Sequence, residues 1–459
     1  MEIRKTWMLL LFLLLVGVGQ LHGTGTAKAE QCPGRGWEGK IVAEDLRLVS
    51  QDRSGDRYRV GENGDSLPLL HLYGSPFELG RAHGVLLRVE IQSMYLQLFR
   101  HMENEWICAL HLTLLPDIVA RKIARWALNA ALDATYLLTL KYLPTRFVDE
   151  MLGLAQGAEV DYQDVVRIQM VPELFQASCS MLGSWGPATQ LTPKGGLYQM
   201  RALDWDISAP LLDYHTVINY HPSDGNSFAI FTWAGFVGCI SGYSGRLGVS
   251  EKAWVGYGGT GSHRGMPWHF VLRDILQFTN NLEGAWNLLM ETQRTCPILV
   301  GIGSLEDDKF FLLGYAADVL QLHDDSNFTM ITSVTPGHND LPGVIFVDKY
   351  EQPSDDECMG SVVRNYYGRL DETSLMDLVS KQQTGMMHTA VYDFIGNNVY
   401  FSWAIKSPLS EDFIPAYRRN FLKLNMSSLL LPQPRCTVTD DSDSEFEYCM
   451  LQQRHTDSL

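Results

Sequence analysis

Residues 176–206 read QASCSMLGSWGPATQLTPKGGLYQMRALDWD, and the rest of the chain is interpreted around them. A lone Cys179 follows the mixed apolar run VVRIQMVPELF and precedes small and turn-forming residues. The segment GLYQMRALDW at 196–205 then reads as a strand, with Arg201 and Asp204 at its far end. A thiol acts as a nucleophile when a base takes its proton, yet no histidine stands close in sequence to do so. Cleavage of the Ser178–Cys179 bond removes the need for one, because the new α-amine of Cys179 sits beside its own thiol. An α-amine titrates near ~8, so with its pKa lowered it accepts the thiol proton at neutral or mildly acid pH. Taken alone, Cys179 reads first as a buried structural thiol or half of a disulfide. Its neighbours change that reading.

A Cys that opens a strand, followed by R-x-x-D-[WF] on the next, resembles the N-terminal-nucleophile cysteine amide hydrolases. Closest in pattern are the penicillin acyltransferase-like family and the acid ceramidase and N-acylethanolamine acid amidase-like family. The matching residues are Cys179, Ala188, Thr189, Gly196, Arg201, Asp204 and Trp205. The Asn usual after the Arg is Ala202 here. The resemblance covers residues 70–405 and implies an α+β fold, a four-layer α-β-β-α sandwich. It also implies acyl transfer through a thioester: Cys179 attacks, Asp204 orients its amine, and Arg201 holds the thiolate charge or the substrate. Trp205, Tyr243 and Glu251 are expected against the substrate. Relatives take their oxyanion donor from an Asn just after a strand-ending Thr. Here Thr335 is followed by Pro336, and Asn339, three residues further, is the expected donor. The resemblance pairs Cys32 with Cys358, a bridge between two chains cut from one precursor.

The chain has 459 residues, 46% hydrophobic and 11% aromatic, enough for a large core. A formal charge of -17 argues against a nucleic-acid partner, which needs a basic face to displace counterions. The first 29 residues read as a signal peptide, cleaved after Gly23 or after the Ala27-Lys28-Ala29 triplet: Arg4 and Lys5 precede an apolar run from Trp7 to Val18 too short to span a bilayer. The expected location is therefore secreted or lysosomal, and glycosylation sequons at Asn327 and Asn425 fit that route. Residues 30–178 then form a helix-rich N-terminal chain. Residues 179–459 carry the nucleophile and the sheets, with a loose acidic tail from about 436. Of eight cysteines, Cys436 and Cys449 flank that tail and are placed to close a local loop; Cys239, in the apolar stretch FVGCISG, is the expected free buried thiol. There is no CxxC and no HExxH, so no metal or organic cofactor is expected.

Residues 37–72 read as strands. Ser75, Pro76 and Glu78 then give the signature of a capped helix start. The stretch 74–87 also resembles the opening segment of the penicillin acyltransferase-like family, and His83 within it is either a ligand or base, or a packing residue. Helical periodicity runs from Val89 to Leu154, broken around Pro116 and Pro144. Its piece from Ile118 reads as a core helix, or as a surface helix touching anionic membrane with Arg121, Lys122 and Arg125. One long strand region is expected over NSFAIFTWAGFVGCISGYSGRLGVSEKAW, followed by two helices, four strands (the last TMITSV), a helix and two strands. GYGGTG at 256–261 lacks a following Gly-Lys-Ser/Thr and is a loop, not a phosphate site. The expected activity is amide hydrolysis of N-acyl lipids, ceramide- or N-acylethanolamine-like. One alternative is an acyltransferase, or an amidase for small N-acyl amino acids. Another is an inactive processed glycoprotein that binds lipid or a partner.

Overall fold

The computed structural model describes residues 32–328 and 341–432, apart from 63, 176, 207, 260, 353, 355 and 408–411. An N-terminal meander comes first: β1 (Ile41–Val42), β2 (Leu46–Asp52), β3 (Gly55–Glu62) and β4 (Asp65–Gly74). A helical block follows, with α1 (Pro76–Leu86), α2 (Arg88–Ala109), α3 (Asp117–Thr139), α4 (Thr145–Ala158) and α5 (Tyr162–Leu174). Helix α1 begins at Ser75 as its sequence predicts, with the Ser75 N–H donating to Glu78 Oε2 at 2.7 Å. The next strands are β5 (Ser178–Ser184), β6 (Tyr198–Asp204), β7 (His215–Pro222), β8 (Phe228–Trp233), β9 (Gly242–Tyr243) and β10 (Leu247–Ala253). Helices α6 (Trp268–Phe278) and α7 (Leu282–Glu291) lead to β11 (Ile298–Ser304), β12 (Lys309–Tyr315), β13 (Leu320–His323) and β14 (Val344–Val347). The chain continues through α8 (Cys358–Tyr366), α9 (Glu372–Gln382), β15 (His388–Asp393) and β16 (Asn398–Trp403). A short ribbon of β17 (Ile405–Lys406) and β18 (Phe413–Ile414) precedes β19 (Phe421–Asn425).

These strands build two large sheets. One has seven strands in the order β1-β19-β16-β15-β6-β5-β14; the other has ten, β13-β12-β11-β10-β9-β8-β7-β4-β3-β2. A core between them joins Met181, Ala390 and Phe401 of the first sheet to Leu69, Val217 and Phe231 of the second. The outer face of the ten-stranded sheet packs on α1 to α7 through residues such as Ile218, Leu87 and Phe270. The outer face of the seven-stranded sheet packs on α8 and α9 through Met200, Val363 and Leu375. The fold is α+β, with four layers in the order α-β-β-α. Near-continuous apolar strands follow from this arrangement, since both faces of each sheet are covered.

The helical layer approaches closely because α1 and α4 cross on glycines. A Cβ at Gly80 would stand 1.9 Å from the Glu150 carbonyl oxygen, and one at Gly153 would stand 2.1 Å from that of Phe77. The same layer explains a departure from the expected strand. Residues 234–241 leave the sheet between β8 and β9, with Gly235 at φ +80. Their backbone groups bond helix side chains instead of a neighbouring strand. His83 Nε2 accepts the Gly235 N–H at 3.0 Å, and Tyr95 Oη and Gln169 Nε2 donate to its carbonyl at 2.8 and 2.9 Å. Arg273 Nη1, itself donating to Glu150 Oε1, also donates to the Val237 carbonyl at 2.9 Å. A buried backbone satisfied in this way does not need a ladder. Cys239 lies in this excursion, free and buried.

Cys32 and Cys358 form a disulfide that ties the start of the described chain to α8. Among the described residues no helix is long and apolar enough to cross a membrane. TMITSV at 329–334, Thr335, Pro336, Asn339, Cys436, Cys449 and residues 1–29 lie outside the described residues.

Candidate active site

Strands β5 and β6 pair antiparallel, with Ser178 opposite Asp204 and Cys179 opposite Leu203. Side chains alternate along a strand, so Cys179 and Arg201 share the face that looks toward the ten-stranded sheet, along with Met181. Ser178 is exposed, and one residue later Cys179 is fully buried. Its thiol faces the Ala177 carbonyl oxygen at 3.8 Å and Glu251 Oε1 at 3.9 Å. Burial pushes this thiol up to about 12, opposed by the Arg201 guanidinium. Near neutral pH this thiol is therefore held protonated.

Arg201 crosses to the other sheet, where its Nη2 donates to Glu251 Oε1 of β10 at 2.8 Å. Both side chains are buried, and Arg201 Nε and Nη1 have no partner among the described residues. Burial raises the Glu251 carboxyl above the ordinary carboxylate range, with Arg201 pulling the other way. Next to it, Lys252 is also buried, and its Nζ lacks a hydrogen-bond partner among the described residues. Burial pulls the Lys252 ammonium down, while Cys179, Asp348, Asp204 and Glu251 act in the opposite sense. The thiol thus sits among one paired cation, one unpaired cation and several buried carboxyls. Sequence reasoning missed Lys252; its signal was a Glu-Lys pair inside an otherwise apolar strand.

Asp204 has the opposite parity and lies on the helix-facing side of the sheet. Its Oδ2 accepts from Thr384 Oγ1 at 2.5 Å and its Oδ1 from the Met386 N–H at 2.8 Å. Ser180 Oγ bonds the same Thr384 at 2.7 Å, which locks β5 to this loop. Burial raises the Asp204 carboxyl despite these donors. It lies within electrostatic reach of Cys179 without a hydrogen bond to its side chain.

A pocket opens beside the thiol. Phe175, Ala177, Leu203, Trp205, Ile240, Trp268 and Ile298 form its apolar walls, and Glu251 and Cys296 add polar groups. Trp205 is held by an edge contact with Trp233 at 6.0 Å. Tyr243, expected here, is elsewhere: it pairs opposite Gly248 and points between the sheets, where its Oη donates to Asn397 Oδ1 at 3.0 Å. Glu251, three residues beyond Gly248, takes the other side of the same strand, so the two do not share a site. Asn327 and Asn425 are exposed.

A second cluster, also missed from sequence, touches the same pocket. Cys296 Sγ donates to Glu173 Oε2 at 3.0 Å, and His263 Nδ1 lies 3.4 Å from that oxygen and 3.7 Å from the sulfur. Its residues come from segments 123 and 33 positions apart, a proximity no local pattern signals.

No family model matches the chain. Two Dictyostelium discoideum proteins do match it over most of their length. Protein dcd1B is 38% identical over 400 residues, spanning 84% of this chain and 79% of that one. The chain belongs to the dcd1 family. Protein dcd1A is 35% identical over 399 residues, spanning 83% of this chain and 90% of its own. Among solved structures, the dcd1-family chain aligns with a Caenorhabditis elegans ortholog of N-acylethanolamine-hydrolyzing acid amidase at 16% identity. That alignment covers 47% of this chain and 92% of the other, with a TM-score of 0.36. A mutant of conjugated bile acid hydrolase from Clostridium perfringens aligns at 9% identity over 57% of this chain and 98% of that one, with a TM-score of 0.35.

Proposed function

We propose that this chain is a cysteine amide hydrolase of the N-terminal-nucleophile type, acting on N-acyl lipids through a thioester on Cys179. The observation that carries this reading is the position of the Cys179 thiol. It stands buried at the start of a strand, behind an apolar pocket lined by Ala177, Leu203 and Glu251, and within reach of Glu251, Arg201 and Lys252. Maturation proceeds in two steps. The Cys179 sulfur attacks the Ser178 carbonyl carbon, the C–N bond to Cys179 breaks, and the thiol proton passes to the leaving amine. Water then hydrolyses the thioester, giving a Ser178 carboxylate and a free thiol. Glu251, 3.9 Å from the sulfur, is placed to carry the proton between them. After cleavage the new amine takes the Cys179 thiol proton as the sulfur attacks the substrate carbonyl, and passes it to the leaving amine as the C–N bond breaks. Water then hydrolyses the thioester to free acid and thiol, while Arg201 and Lys252 hold the negative charge that develops.

The Cys32–Cys358 disulfide would join the two chains, and disulfides belong to the secretory route that the signal peptide implies. Incubating the purified protein with N-acylethanolamines, ceramides and N-acyl amino acids, with Cys179→Ala as the blank, tests the reading and ranks the substrate classes. Release of no free acid from any amide would leave a lipid-binding glycoprotein as the better account.

Asn339 is the proposed oxyanion donor. Asn339→Ala is expected to lower turnover by on the order of 100-fold with the melting temperature unchanged. Near-normal activity would move the donor elsewhere.

A lipid substrate also fits the outer surface. Leu114, Ile118, Trp126 and Leu137 are 95%, 71%, 67% and 70% exposed along α3 and the turn before it. Lys122 stands among them, with Arg121 and Arg125, which also pair with Asp117 and Glu103. An apolar stripe with a basic flank docks on anionic membrane. Ile118→Glu/Trp126→Glu is expected to abolish sedimentation with phosphatidylserine vesicles while sparing hydrolysis of a short-chain, water-soluble N-acyl amide. Unchanged sedimentation would put this stripe to another use.

A further inference from the structure

We propose that Glu173, His263 and Cys296 form a divalent transition-metal site, best suited to zinc, at the edge of the pocket that Cys296, Ala177 and Glu251 line. It goes beyond the hydrolase reading and does not depend on it. Three ligand types that zinc takes are brought together, each offering one atom: a carboxylate oxygen, an imidazole nitrogen and a sulfur. Their spacing is the first argument. Bond lengths of about 2.0–2.3 Å at tetrahedral angles put donor atoms about 3.3–3.6 Å apart. The nitrogen–oxygen and sulfur–nitrogen separations are 3.4 and 3.7 Å, close to that spacing. The sulfur–oxygen separation of 3.0 Å is shorter, as expected while the thiol keeps its proton and donates to the carboxylate.

The support around the ligands is the second argument. Glu173 is buried at the end of α5, and its other oxygen, Oε1, is already satisfied by the Trp268 N–H at 2.9 Å and the Thr295 hydroxyl at 3.0 Å. These two donors fix the carboxylate so that Oε2 alone points at sulfur and imidazole. Outer groups that orient a ligand in this way are a regular part of metal sites. His263 is partly exposed and gives an ion a path in, while Cys296 lines the pocket. Three protein ligands leave the fourth position for water or for a donor atom of whatever fills the pocket, the arrangement of open zinc sites. Binding costs the thiol its proton: the sulfur–metal bond forms as the proton leaves to solvent.

The test uses the full-length protein and needs no turnover. After loading with zinc and desalting, mass spectrometry of metals is expected to find one zinc per chain. Cobalt in its place is expected to give a sulfur-to-metal charge-transfer band. Cys296→Ser should abolish that band, and His263→Gln should weaken binding by at least about tenfold. Cys179→Ala and Cys239→Ala should keep both metal and band, and circular dichroism identifies any variant that fails to fold. Wild-type protein that retains no zinc and shows no cobalt–sulfur band would overturn the proposal. So would a band that survives in folded Cys296→Ser and disappears in Cys179→Ala.

Discussion

Cys179→Ala is expected to remain one uncut chain and to lose turnover by on the order of a millionfold, the scale on which loss of a nucleophile acts. The same atom is asked to do two jobs. It must first break the bond before it and then attack the substrate, so its removal stops maturation and catalysis together. The fold should largely survive: among the described residues the thiol's hydrogen bonds are two long ones, to Ala177 and Glu251, and alanine keeps an apolar side chain at this core position. Cys179→Ser keeps a nucleophilic oxygen and is expected to process slowly. A reducing gel reports the cut, and an assay on N-acyl amides reports the turnover. An Ala variant that matures or turns over normally would leave Cys179 a core thiol.

The second large effect is on stability. Arg201 and Glu251 form a buried pair that joins the two sheets. Arg201→Ala leaves the Glu251 charge buried without its partner, which costs about 3–5 kcal/mol when one member of such a pair is removed. Replacing both, as Arg201→Met/Glu251→Leu, removes both desolvation costs and is expected to recover most of that loss while remaining inactive. Urea unfolding of the two variants separates the roles. If the double variant is as unstable as the single one, the pair acts through packing and not through charge. If the double variant is active, neither residue takes part in the chemistry.

Much of this organisation was legible in the sequence because it is local. The β5–β6 hairpin is written in one stretch of chain, with Cys179 at its start and Arg201 and Asp204 at its end. The helices after Ser75, Pro116 and Pro144 are announced by caps and prolines. The rest depends on contacts between distant segments. The apolar run after Trp233 has the composition of a buried strand, yet the polar arms of α1, α2, α5 and α6 draw its backbone out of the sheet. Tyr243 and Glu251 look equivalent on paper, and strand parity sends them to opposite faces. Lys252 has meaning only once β10 packs beside β5. Glu173, His263 and Cys296 likewise meet only in three dimensions. Thr384 and Met386, which hold the Asp204 carboxylate, lie 180 and 182 positions along the chain from it.

N-terminal sequencing of the mature protein tests the central claim most directly. After reduction of Cys32–Cys358 and separation of the fragments, the larger one is expected to begin at Cys179, and the smaller to end at Ser178. A fully active protein that is intact across Ser178–Cys179, or one cut elsewhere with the Cys179 amine still in peptide linkage, would contradict the account.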